Sequence, residues 1–240
     1  MSKMTRREMI RSSAAAGSVA VISWFGPRAR AATQATGDAR AEKISYSWLT
    51  QAEAAFLDAA VSRLIPADDV GPGAREAGVT FFIDQQMAGP FGRAETWYMQ
   101  GPWKDGTPEQ GYQLKQNPAQ LYRAGIQATD DHCRRTFNKK TFAELAPADQ
   151  DKLLQRLEKG DIDLATVPAK EFFAMLWQNT QEGFFADPMY GGNRDFIGWK
   201  TVGFPGPRYN YVNEIGQFGK TYSLPTVGLR GRNPRDPRKS

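Results

Sequence analysis

His132 is the only histidine in this 240-residue chain. It stands between Asp130-Asp131 and Arg134-Arg135, with Cys133 beside it. A histidine next to carboxylates is the usual material of a general base. On a stretch this charged, with two arginines following, it reads instead as a solvated or interface histidine. Two acidic groupings are candidates for a cation site: Asp68 and Asp69 with Asp84, and Asp161 with Asp163. Neither has the spacing of an EF-hand loop, and acids near helix ends more often cap backbone N–H groups. Cys133 is the single cysteine. That excludes cysteine-based zinc and iron–sulfur ligand sets and a Cys-x-x-Cys-His haem attachment. A di-iron bundle needs several histidines. Gly71-Pro72-Gly73 and Gly191-Gly192-Asn193 match neither a dinucleotide fingerprint nor a phosphate loop, and read as turns requiring positive φ. No serine or cysteine lies in a nucleophile motif. The expectation is a chain with no catalytic residue, no metal and no cofactor site of its own.

The N-terminus carries a different kind of chemistry. Arg6 and Arg7 precede an apolar run from Ala14 to Trp24, and Ala29-Arg30-Ala31 follows it. Basic region, apolar region and A-x-A site in that order form a secretory signal. The arginine pair makes it a twin-arginine signal, recognised by a translocase that exports folded proteins. The run is interrupted by Ser18 and Ser23 and falls short of the ~20 apolar residues of a spanning helix. Residues 1–31 are therefore expected to be cleaved and the remainder to be periplasmic. Folded export implies a cofactor loaded before transport, in this chain or in a partner.

The formal net charge is +5. Lys3, Arg6, Arg7, Arg11, Arg28 and Arg30, against Glu8 alone, carry all of that excess. The mature chain is thus formally neutral, and no nucleic-acid partner is expected. Mean hydropathy is −0.56, that of a soluble chain after processing.

The elements that must position these residues are helical. Residues 32–47 read as a flexible leader. Thr50 with Glu53 forms a capping box, and Phe56, Ala60 and Leu64 share the face of a helix that Ile65-Pro66 ends. A second helix is predicted over about 74–87, a third from Pro118 through Phe137, a fourth from Pro147 to Gly160, and a fifth over about 169–184. Residues 88–117, with Trp97, Tyr98, Trp103 and Tyr112, hold no period and form a long aromatic loop. Beyond Asp187-Pro188 regular structure is expected to fade into a second aromatic, glycine-rich arm. The fold class is mostly α: a small bundle of about five helices with long irregular arms rich in aromatics, glycine and proline. The domain spans 48–225, and 226–240 is a basic tail read as disordered or draped on a partner.

Two groups of residues carry a family resemblance. The first is Leu64-Ile65-Pro66-Ala67-Asp68-Asp69, Gly71-Pro72-Gly73-Ala74, Ala77-Gly78-Val79 and Phe82-Ile83-Asp84. The second is Thr180-Gln181-Glu182-Gly183-Phe184-Phe185-Ala186-Asp187-Pro188, Tyr190-Gly191-Gly192-Asn193, Gly198-Trp199-Lys200 and Gly203-Phe204-Pro205-Gly206. In this order they resemble the gluconate 2-dehydrogenase subunit 3 family. The resemblance implies the small, non-catalytic subunit of a membrane-associated periplasmic dehydrogenase of sugars or sugar acids. Its implied partner is a glucose-methanol-choline-type large subunit that holds FAD. A multihaem cytochrome subunit with haem c is the implied third component in some such complexes. The small subunit would aid flavoprotein maturation and carry the export signal for both.

Within that reading, Trp97, Tyr98, Trp103, Tyr190 and Trp199 are the candidate partner-interface residues, since aromatic anchors concentrate at interfaces. Cys133 is the candidate for a disulfide to the large subunit, being a lone cysteine bound for an oxidising compartment. A buried free thiol is the equal alternative. The competing functional reading is an independent periplasmic enzyme or sugar-binding protein that uses the aromatic loops.

Overall fold

The computed structural model describes residues 45–104 and 106–231. Arg6 and Arg7, the apolar run, the cleavage pattern, most of the leader and residues 232–240 lie outside them. The described residues divide into two compact units, Tyr46–Pro207 with 224–231, and Arg208–Ser223 with Ser45. Six α-helices and no strand occur among the described residues: α1 (Gln51–Leu64), α2 (Val79–Ala88), α3 (Pro118–Thr136), α4 (Pro147–Lys159), α5 (Ala169–Phe185) and α6 (Ile197–Val202). No described helix is long and apolar enough to cross a membrane.

The helix starts follow local chemistry. The Thr50 N–H donates to Glu53 Oε2 (2.8 Å) and the Glu53 N–H to Thr50 Oγ1 (3.3 Å), the reciprocal capping box. Asn117 and Gln120 repeat that device at α3. Pro118 and Pro147 each open a helix, where a missing N–H is harmless. α4 stops at Gly160, which is left-handed with φ 76°.

The predicted second helix starts too early. Gly78 adopts φ 77° and caps α2 from the left-handed region, so residues before it form turns. α6 was not expected at all: six residues are too few for periodicity to register.

α5 is the hub. It packs on α4, α2, α3, α6 and α1, presenting Phe172, Leu176, Thr180, Gly183 and Phe184, all essentially buried. Gly125 lets α3 approach, because a Cβ there would lie 2.4 Å from the Phe172 ring. Phe56 packs on Phe142 at 4.8 Å and Tyr122 meets Phe172 edge-on at 6.0 Å. The Tyr122 hydroxyl donates to Asn179 Oδ1 (2.9 Å), so its buried polar tip is satisfied. Arg63 and Asp151 join α1 to α4 with two hydrogen bonds of 2.7 and 2.8 Å.

The segment read as the start of a loose tail returns to the helical unit. The Val227 N–H donates to the Pro205 carbonyl (3.2 Å), Gly228 is buried, and the Leu229 N–H donates to Asp187 Oδ2 (2.7 Å). Val227, Gly228, Leu229 and Gly231 thus make hydrogen bonds within their own chain.

The Arg208–Ser223 unit is a small loop closed on itself. The Tyr211 and Tyr222 rings meet at 5.8 Å, and the Arg208 guanidinium lies 5.6 Å from the Tyr222 ring centre. A short 3₁₀ turn, Val212–Glu214, lies between them.

Candidate functional site

The two segments that carry the family resemblance lie about a hundred residues apart in sequence and meet in space. In the first, Pro66 stops α1 and the chain folds back tightly. The Ala74 N–H donates to the Ile65 carbonyl (2.8 Å), and a Cβ on Gly73 would lie 2.5 Å from that same oxygen. The Gly73 N–H donates to Glu76 Oε2 (2.9 Å). The Arg194 N–H then donates to the Ala77 carbonyl (2.9 Å), and Gly191 packs on the Phe81 ring.

The second segment serves the C-terminus of α5. A helix end leaves its last carbonyls without partners, and two side chains supply donors here. Trp199 Nε1 donates to the Phe185 carbonyl (2.7 Å) and Asn193 Nδ2 to the Ala186 carbonyl (2.8 Å). The Oδ1 of Asn193, a fully buried residue, accepts from the Gly198 N–H (2.8 Å). Asp187 Oδ1 accepts from the Met189 N–H (3.0 Å) while its Oδ2 holds Leu229. Trp199 is sandwiched, parallel to Phe196 at 5.4 Å and edge-on to Phe204 at 5.0 Å.

A third fastening ties the end of the leader to α2. The carboxylate of Asp84, itself fully buried, accepts from the Ser47, Trp48 and Leu49 N–H groups at 2.8–2.9 Å. Alongside, Arg123 lies 4.3 Å from the centre of the Trp48 ring, pairs with Glu53 at 3.0 Å and donates to the Trp48 carbonyl (3.0 Å).

The acidic groupings therefore do structural work. Asp84 is far from a cation ligand in role, because its oxygens face backbone donors. Asp68 accepts from the Val70 N–H (3.0 Å) and Asp163 from the Ala165 N–H (2.8 Å), the turn-forming pattern of aspartate. Among the described residues, no three His, Cys, Asp or Glu side chains come together as metal ligands would.

The hydrogen bonds of Asp130 and Asp131 go to groups other than His132, whose Nε2 has no hydrogen-bond partner among the described residues. Asp130 accepts from the Phe142 N–H (2.8 Å) and Asp131 from Arg134 (2.8 Å). Partial burial, with Arg156 and Arg135 nearby, pushes the imidazole pKa below its usual value. At neutral pH it is an uncharged, half-buried ring.

Cys133 is fully buried and unpaired. Burial, with help from Asp130, pushes its thiol up to about 12, so the nucleophilic thiolate is suppressed. A bridge to another chain would require α3 to turn this face outward. In the native chain the thiol is expected to resist alkylation until unfolding exposes it, which mass spectrometry after iodoacetamide treatment reads directly. Fast labelling of the folded protein would show a sulfur within reach of a partner.

The five aromatic candidates separate. Tyr98 is 81% exposed and Tyr190 51% exposed. Trp199 is buried and is a packing residue rather than an exposed anchor. Trp97 is half-buried between Phe91 and Tyr112, with ring centres 5.6 and 5.0 Å away, and Trp103 is also half-buried. Four further exposed apolar residues among the described ones lie where the sequence offers little signal: Tyr209, Val212, Ile215 and Phe218 in the 208–223 loop. Their one mark is an apolar residue at every third position among Asn, Gly and Gln, in a segment with no α-helix.

The molecule thus defines a mostly α-helical domain whose shared motifs spend their polar groups on fastening backbone. Its sequence matches the family model described as gluconate 2-dehydrogenase subunit 3 over residues 51–206. The chain belongs to that family. No curated protein and no solved structure matches it.

Proposed function

We propose that this chain is the non-catalytic small subunit of a membrane-associated, FAD-dependent dehydrogenase of sugars or sugar acids. It binds the flavoprotein subunit, assists its maturation and carries it out of the cytoplasm on the twin-arginine signal. The flavoprotein is of the glucose-methanol-choline type, and a haem c subunit is the proposed third partner. The observation that carries this reading is the family match over 51–206 on a domain whose motif residues are engaged in packing. Asp84, Asp187, Asn193 and Trp199 all hold backbone groups. FAD belongs to the partner in this reading, and the exported complex is periplasmic.

The paired arginines give the direct test. Arg6→Lys with Arg7→Lys is expected to leave the flavoprotein in the cytoplasm, with dehydrogenase activity lost from the periplasmic and membrane fractions. Fractionation followed by activity staining measures this. Undiminished export of the flavoprotein in that variant would overturn the escort role.

A further inference from the structure

The 208–223 loop has the composition of an interface and the construction of a preformed element. Four apolar side chains stand out of it: Tyr209 at 102% exposure, Val212 at 64%, Ile215 at 78% and Phe218 at 92%. Single exposed apolar residues are ordinary, but four within ten positions form a patch of the kind that marks an interaction site. The loop is not slack. Besides the Tyr211–Tyr222 and Arg208–Tyr222 contacts at its base, the Val212 N–H donates to Asn210 Oδ1 (3.2 Å) and the Gln217 N–H to the Glu214 carbonyl (3.0 Å). Gln217 also reaches the Asn213 carbonyl through its side chain. Ordering a loop before binding removes part of the entropic penalty of association.

We propose that this loop is the docking element for the FAD-bearing dehydrogenase subunit, with Ile215 and Phe218 as its anchors. The inference rests on the subunit role above and adds to it the part of the chain that makes the contact. Three observations favour that occupant.

The first is area. Each buried aromatic contributes roughly 150–250 Å². Tyr209 and Phe218 alone therefore supply roughly 300–500 Å², about half of the ~800 Å² that one partner contributes to a standard heteromeric interface. The second is charge. Arg208 and Lys220 against Glu214 leave the loop a single net positive charge, and Asn210, Asn213 and Gln217 are interspersed with the apolar residues. That is an apolar centre with a polar rim, not the basic face that a lipid surface selects. The third is position. The family match ends at residue 206 and the loop begins at 208, so the shared helical domain is complete without it. A segment outside the shared domain is where pairing with one particular partner can be written.

The test uses the full chain and, purified with its FAD, the glucose-methanol-choline-type flavoprotein proposed above as its partner. Ile215→Asp and Phe218→Asp change exposed side chains, so the thermal unfolding midpoint of the isolated chain should stay within about 2 °C. Each is expected to weaken binding about 30-fold or more, the size of a hot-spot loss, read by biolayer interferometry. Wild-type binding with unaltered affinity in both variants would overturn the loop's role and leave the subunit reading standing. Failure of the wild-type chain to bind the flavoprotein would overturn both. Wild-type dimerisation, or binding to anionic phospholipid vesicles, that the same substitutions abolish while flavoprotein affinity is unchanged would assign the loop to another occupant and overturn the proposal.

Discussion

Asp84→Ala is expected to destabilise the protein by roughly 3–5 kcal/mol, because three buried or half-buried backbone donors lose a charged acceptor together. The Ser47, Trp48 and Leu49 N–H groups converge on this one carboxylate. Removing the side chain leaves them without that acceptor and leaves a cavity where water fits only in part. For a chain of this size the unfolding midpoint should fall by roughly 10 °C. Asp84→Asn keeps one acceptor oxygen and should lose about half as much. Urea titration gives the free energies, and hydrogen exchange at Leu49 gives the local effect, since that amide should become fast in Asp84→Ala. A loss below about 1 kcal/mol would mean that the leader is held by other contacts, the Arg123–Trp48 pair being the first to examine.

The second large effect is expected at Gly198. A Cβ added there would sit 2.0 Å from the Phe184 carbonyl oxygen, which is backbone and cannot rotate away. α6 would have to move by about an ångström, breaking the Gly198–Asn193 and Trp199–Phe185 hydrogen bonds on the way. Overpacking with such losses should cost Gly198→Ala about 3 kcal/mol or more. Gly203 supplies the contrast: it is left-handed at φ 71°, and a Cβ there would meet nothing within 4 Å. Gly203→Ala should therefore cost only about 1–2 kcal/mol, the conformational penalty alone. Tryptophan fluorescence should separate the two, since only the Gly198 change disturbs the stacked Trp199. Equal losses at both positions would mean that α6 accommodates the methyl group without shifting.

Much of the helical frame was legible in the sequence because it is written locally. Thr50 and Glu53, Pro118, Pro147 and Gly160 each act within a turn of their own position. α6 and the true start of α2 were not legible. The first is too short to show a period, and the second is set by Gly78 in contact with a segment more than a hundred residues away. The same distance explains the site. Asp84 looks like an acid awaiting a cation until residues 47–49 are placed against it. Trp199 looks like an exposed anchor until the end of α5 is placed above it. Tyr209 and Phe218 look like any other aromatics until their exposure, 102% and 92%, is known.

The pairing of Val227 with Pro205 bears on how such a subunit could change allegiance. It holds the two ends of the intervening excursion side by side within the helical unit. An excursion with adjacent ends is a cassette: its length adds closure entropy only logarithmically, about 0.6 kcal/mol per doubling. Residues between those anchors can be shortened, extended or exchanged with those of a relative while the helices keep their places. One scaffold can then present different exposed sequences by rewriting a single insert.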